Sequence, residues 1–243
     1  MTLEEMKQLE FQKLYIRNKY SKDPKLNFKD LDSEIIFDKL PNKEFNADSK
    51  YEQRYIASLL TFDEIVAAFI AFNANAAIIN IGNGLDSRKT RIKRENTKWY
   101  YVGNEELNSI YENYRSEEFI NKDPYDYTWM KDIDRSAPTY LVVIEDYAMY
   151  QEKDKFLDLI KTLCNTFENL TIMVENSSKG VLKTNPNYRL SLNVKDYLAQ
   201  DEDLYFVKSK PTYRGIEIMK WYKIFAEPFC FSKYTKLLVL HKN

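Results

Sequence analysis

The sequence predicts a doubly wound α/β domain, and three observations carry that prediction. Four short, almost wholly apolar runs stand at residues 76–81, 98–102, 139–145 and 170–175, as strands covered on both faces of a parallel sheet must be. A stretch of 3.6-residue apolar periodicity, Lys153 to Phe167, joins the last two and makes a strand-helix-strand crossover. Glycine is scarce, five in 243 residues, yet Gly82, Gly84 and Gly103 fall within 22 residues of one another, just beyond the first and second runs. Glycine at such places serves a backbone need.

Taken in order, residues 1–20 are charged but helix-patterned, with Leu3, Met6, Leu9, Phe11 and Leu14 at near-helical spacing, and residues 21–50 are polar and hold Pro24 and Pro41. Residues 1–50 are therefore expected as a peripheral helical cap or lid, and residues 51–243 as one globular unit. From Glu52 to Phe72 the apolar positions Tyr55, Leu59, Phe62, Ile65, Val66, Phe69 and Ile70 repeat every 3.6 residues, so a helix leads into the first strand. Phe156, Leu157, Leu159, Ile160, Leu163 and Phe167 form the apolar face of the crossover helix. After a polar excursion at 176–194 come a helix near 194–200, a strand at 204–209, a stretch with Trp and Tyr at 213–225, and the β-rich end KYTKLLVLHK. That ending suggests an antiparallel strand pair finishing the sheet. Internal repeats are absent from the sequence.

Lys and Arg total 36 against 37 Asp and Glu, a net charge of −1, so the footprint of a protein that lives on phosphate backbones is missing and no nucleic-acid partner is expected. No run approaches the roughly 20 consecutive apolar residues of a membrane span, and MTLEEMKQLE lacks a secretory apolar core, so no membrane partner and a cytoplasmic location are expected. Cys164 and Cys230 lie far apart without CxxC spacing, which indicates neither bridge nor metal. The single histidine, His241, is the third residue from the end of the sequence, in what reads as a final strand, which leaves almost no material for Ser-His or Cys-His catalysis and none for His-based metal clusters. No metal is expected.

Ile81-Gly82-Asn83-Gly84-Leu85-Asp86-Ser87-Arg88 follows the first strand directly, at the carboxyl end where open α/β sheets bind ligands. The dinucleotide pattern GxGxxG fails because Ser87 stands at the third glycine, and Asp86 would repel a pyrophosphate, so an uncharged or cationic nucleoside suits the turn better. The ribose-holding carboxylate of such domains belongs at the end of the second strand. Gly103 stands there, with Glu105 and Glu106 close behind and able to reach back if the glycine adopts an unusual conformation. Asp86 and Arg88 are expected to order the turn, and Lys89, Arg91, Lys93, Arg94 and Lys98 to form a solvated face.

These residues, IINIGNGLDSRKTRI followed by KWYYVGNEEL, resemble the leucine carboxyl methyltransferase and bacterial polyketide O-methyltransferase family. Gly82, Gly84, Asp86, Arg88 and Arg91 fit its V-x-L-G-x-G-x-D-T-R-x-x-R motif, and Trp99 and Val102 fit its W-x-E-V-D-x-P, with Gly103 in place of the ribose-binding acid. DPYDYTW at 123–129 is similar to D-x-x-D-x-x-W, EDYAMY at 145–150 to E-G-x-x-M-Y with Asp146 replacing glycine, and Arg54 before Phe62-Asp63 to R-x(n)-F-D. The resemblance covers residues 51–178 or so. It implies a Rossmann-like class I methyltransferase fold with a seven-stranded, mostly parallel sheet, S-adenosylmethionine as cofactor and S-adenosylhomocysteine as product. It also implies methyl transfer to a carboxylate or hydroxyl of a small molecule or exposed chain end.

Carried over position by position, the resemblance implies a cofactor site of Arg54, Gly82, Asn83, Gly84, Gly103, Asn104, Glu105, Asp123, Tyr125 and Glu145. Arg54 would take the cofactor carboxylate and Asp123 the adenine side, while Tyr147 and Tyr150 would line the acceptor pocket. No catalytic residue is singled out, because the sulfonium is itself electrophilic and the protein needs mainly to align an oxygen nucleophile. The departures at Gly103 and Asp146 leave open a second reading, a family member that keeps the fold but acts as a binding protein.

Overall fold

The computed structural model describes residues 3–24, 26, 28–40, 45, 47–82, 85–92, 96–112, 118–184, 187–212 and 235–243. Asn83, Gly84, Lys93, Arg94, Cys230 and the stretch expected at 213–225 lie outside these.

Three helices come first: α1 (Leu3–Ser21), α2 (Leu31–Lys39) and α3 (Ser49–Phe72). The α/β body continues with β1 (Ala77–Ile81), α4 (Arg88–Ile92), β2 (Lys98–Val102), α5 (Glu105–Glu112), β3 (Glu118–Ile120), β4 (Tyr140–Ile144), α6 (Lys153–Thr166) and β5 (Leu170–Asn176). It ends with α7 (Lys179–Thr184), α8 (Val194–Leu198), β6 (Leu204–Pro211) and β7 (Lys236–Lys242). Single 3₁₀ turns at Tyr127–Lys131 and Asp146–Tyr150 follow β3 and β4.

The strands form one seven-stranded sheet in the order β3-β2-β1-β4-β5-β7-β6. The first five are parallel, and β7 inserts antiparallel between β5 and β6, which is the expected closing strand pair. Chain order reverses between β1 and β4, and there open α/β sheets form a ligand crevice.

Strand alternation divides the core into two layers. Ile78, Trp99, Tyr101, Leu141, Val143 and Met173 face α3 through Phe62, Val66 and Ile70. Ile79, Ile81, Tyr100, Val142, Ile144 and Ile172 face α6 through Phe156, Leu159, Ile160 and Leu163. All five residues of β1 and of β4 are buried, because helices cover both faces. Within α3, Tyr51–Phe72 is long enough to cross a membrane and holds an 18-residue window of mean hydropathy 1.7, but Asp63 and Glu64 interrupt its apolar residues and more than half of that window is buried. Its apolar side is spent on the sheet and on α1, leaving Phe72 exposed at the end.

β3 escapes sequence reading because it has three residues, too few for a period to show. Arg91 corrects another expectation: it is not on a solvated face but buried in an ion network.

Candidate functional site

A cavity of about 340 Å³ opens at the carboxyl ends of β1, β2 and β4, at the reversal of chain order. That volume is at the low end of ligand pockets. It brings together Gly82, Gly103, Asn104, Glu105, Asp123, Tyr147 and Tyr150 of the expected residues.

The two described glycines play different parts. Gly82 has φ +74°, and a Cβ there would lie 2.3 Å from the Tyr147 ring, so both backbone and space demand glycine. Tyr147 thus seats its ring on the turn and becomes a cavity wall. Gly103 has no positive φ, and a Cβ would meet nothing within 4 Å. The special conformation expected of Gly103 is therefore absent; what its lack of a side chain provides is open space at the end of β2. Glu105, at the start of α5, lines that space, whereas Glu106 is paired with Lys7 of α1.

Three expected residues do not line the cavity. Glu145 is buried and its carboxylate takes the Arg88 guanidinium, so it is satisfied inside the protein. Tyr125 donates from its hydroxyl to Gln151 at 3.0 Å and packs against Tyr147, one layer behind the wall. Arg54 donates to the Tyr188 hydroxyl at 2.8 Å and lies against the rings of Tyr51 and Tyr188. Asp123 does line the cavity, and its carboxylate also accepts from the backbone N–H of Tyr125 at 2.8 Å.

The glycine turn is clamped from outside by charge. Arg88 pairs with Asp63 at 2.8 Å and Asp86 at 3.2 Å, while Arg91 pairs with Asp63 at 2.7 Å, Asp86 at 3.0 Å and Asp30 at 3.1 Å. Burial alone would raise the Asp86 carboxyl, but the Arg88 and Arg91 guanidiniums outweigh it and hold the group well below the usual carboxylate range. Asp86 and Arg88 therefore do form the ordering pair expected of them.

The helix expected over residues 1–20 is present as α1, but the sequence reading placed none of its residues in the site, and it supplies Met6, Leu9, Glu10 and Lys13 to the cavity. Lys13 is buried and reaches Glu10 at 2.5 Å and Asp146 at 2.8 Å. Asp146, the departure at a glycine position, is thus answered by a lysine from α1. Burial, which disfavours its charge, is overcome by Asp146 and then Glu10, so Lys13 is raised well above its ordinary value and stays an ammonium. The signal was present: Glu10 and Lys13 share a helical face with Met6 and Leu9, and charges on an apolar face need partners. Asn121 and Lys122 beyond β3 complete the polar lining.

No family model matches the sequence, and no curated protein matches it. Solved structures do resemble it in fold. Magnesium protoporphyrin IX methyltransferase from Synechocystis, solved with bound S-adenosylmethionine, superposes with a TM-score of 0.55 over 82% of this chain and 86% of that one, at 10% identity. An S-adenosylmethionine-dependent methyltransferase from Clostridium acetobutylicum gives 0.50 over 87% and 98%, at 11% identity. The N-methyltransferase NodS from Bradyrhizobium japonicum gives 0.50 over 76% and 94%, at 8% identity. The strand order, the site at the reversal of chain order and these superpositions together show that this chain has the Rossmann-like fold of class I methyltransferases.

Proposed function

We propose that the protein is an S-adenosylmethionine-dependent O-methyltransferase of the leucine carboxyl methyltransferase and polyketide O-methyltransferase kind. The observation that carries this reading is the charge of the cavity. Glu10, Glu105, Asp123 and Asp146 line it against Lys13 and Lys122, an acid-rich wall that suits a sulfonium nucleoside and repels a nucleotide phosphate. The open backbone at Gly103 gives the ligand room where β2 ends. In this reading Gly82, Gly103 and Asn104 approach the ligand through their backbone, Glu105 takes the ribose hydroxyls and Asp123 the adenine side.

S-adenosylmethionine, when bound, supplies an electrophilic methyl group. The chain's own part is to bind, align and exclude water. Neither its lysine on α1 nor its cavity tyrosines offer a base to a hydroxyl acceptor. Lys13 is held as an ammonium, and burial raises the Tyr147 and Tyr150 hydroxyls far above their ordinary value, so neither tyrosine removes a proton at neutral pH. A carboxylate is ionised already at pH 7 and needs no base, which places it ahead of a hydroxyl.

Calorimetric titration with S-adenosylmethionine and, separately, S-adenosylhomocysteine tests the reading. Micromolar binding is expected, tightened tenfold or more by Gly103→Asp, whose carboxylate has free space to enter. No heat at millimolar ligand with an unchanged melting temperature would overturn it and favour the binding-protein alternative.

A further inference from the structure

Four strand ends open onto the cavity in sheet order: β3 with Asn121 and Asp123, β2 with Gly103 and Glu105, β1 with Gly82, and β4 with Asp146 and Tyr147. Neighbouring strands lie about 4.8 Å apart, so the cavity is a trough across the sheet with two chemically distinct ends. With adenine over β3 and the ribose over β2, as proposed above, the sulfur of the ligand comes over Gly82 and its amino-acid end reaches β4. A carboxylate stands at that end.

Glu145 and Asp146 are consecutive, yet only the second faces the ligand space. Glu145 gives its carboxylate to Arg88 and stays off the cavity, whereas Asp146, 7% exposed, lines it. Lys13 donates to one Asp146 oxygen, Oδ1, at 2.8 Å; the other, Oδ2, has no hydrogen-bond partner among the described residues. The same ammonium serves Glu10 at 2.5 Å, so two buried carboxylates share one cation, leaving one negative charge in excess within ion-pair distance. Excess buried charge is costly until a counter-ion arrives. The Tyr51 hydroxyl, which lies in the field of Lys13 and Asp146, is buried and hydrogen-bonds to no described residue. A free carboxylate oxygen and an unused donor at one end of a trough complement an α-amino acid, whose ammonium and carboxylate sit on the same carbon.

We propose that Asp146, held in place by Lys13, binds the α-ammonium of the ligand through its free oxygen. This assignment rests on the methyltransferase reading above, which supplies the ligand and its direction along the trough. It gives the aspartate a use where the resembled motif has glycine: the acid is a feature of this chain, and α1, 133 residues earlier, supplies the lysine that holds it. Recognition of the ammonium also sorts adenosyl ligands. Those with an intact amino-acid end gain the Asp146 contact, while those without the amine leave the buried charge uncompensated.

The test is calorimetric titration with three probes: S-adenosylhomocysteine, its des-amino analogue, and methylthioadenosine, which lacks the amino-acid end. S-adenosylhomocysteine is expected to bind at least tenfold tighter than the des-amino analogue. Asp146→Asn should cut that preference to threefold or less by weakening S-adenosylhomocysteine, while the des-amino analogue binds no worse and methylthioadenosine stays within twofold. Should Asp146→Asn fail to fold, the triple variant Glu10→Gln, Lys13→Met, Asp146→Asn, which carries no charge in the cluster, should show the same lost preference. Equal wild-type affinity for S-adenosylhomocysteine and the des-amino analogue, or an undiminished preference in a folded Asp146 variant, would overturn the proposal and leave the methyltransferase reading standing. Failure of S-adenosylhomocysteine to bind the wild-type protein at all would overturn that reading, and this assignment with it.

Discussion

Gly82 and Gly103 occupy matching places at the ends of neighbouring parallel strands, yet they answer to different physics. At Gly82 the left-handed backbone and the Tyr147 ring both exclude a side chain. Gly82→Ala is expected to cost about 2–4 kcal/mol, combining the left-handed penalty with overpacking. Gly103→Ala meets open space and should change stability by no more than about 0.5 kcal/mol. Urea denaturation of the two variants side by side checks this, and equal losses would contradict the geometry. The two were alike as letters; the aromatic neighbour distinguishes them.

At the scale of elements, α1 is fixed by two buried charged groups: Arg17, which pairs with Asp30 at 3.2 Å and donates to the Leu85 carbonyl, and Lys13. Lys13 of α1 sits between Glu10, one turn earlier, and Asp146, at the start of the turn after β4. Removing Lys13 leaves two buried carboxylates near each other, so Lys13→Met should destabilise the protein by about 3–5 kcal/mol. Asp146→Asn should cost less, because Lys13 keeps Glu10. The triple variant Glu10→Gln, Lys13→Met, Asp146→Asn should recover much of the loss, since none of the three side chains is then charged. Thermal and urea unfolding of the set would expose an additive pattern, which would mean that the three groups are not one unit. In functional terms this cluster makes α1 a wall of the cavity and explains how a carboxylate is tolerated where the resembled motif has glycine.

Across the whole molecule, acid stability follows from the network around the glycine turn. Asp30 and Asp86 are both held below the usual carboxylate range; in each, burial opposes ionisation and the neighbouring arginines overcome it, Arg91 leading for Asp30 and Arg88 for Asp86. A depressed carboxylate contributes stability that is present above its unfolded value, about 3.9, and that is lost as pH falls through its folded value. Glu175 has the opposite sign: burial, then the Asp146 charge, raises it, so the folded state gains stability as pH falls through that raised value. The melting temperature should therefore hold or rise slightly from pH 7 towards pH 5 and drop below about pH 4. Asp86→Asn should show a flatter acid limb. A melting temperature still rising at pH 3 would show that the arginine network does not govern this limb.

The strands at 77–81, 98–102, 140–144 and 170–176, the helices α3 and α6 and the antiparallel finish were legible from sequence alone, because burial on both faces leaves continuous apolar runs and helical burial leaves a 3.6-residue period. The glycine turn and its placement at a strand's carboxyl end were legible for the same local reason. What only the tertiary structure decided is which polar residues face the ligand space. Glu145 and Arg54 look equivalent to Glu105 and Asp123 in sequence, but Arg88 takes the first and an aromatic shelf receives the second, while Lys13 arrives from 133 residues away to meet Asp146. Local periodicity records how a segment is buried; the partner of a charge is fixed by chain crossings that bring distant segments together, and no local pattern encodes them.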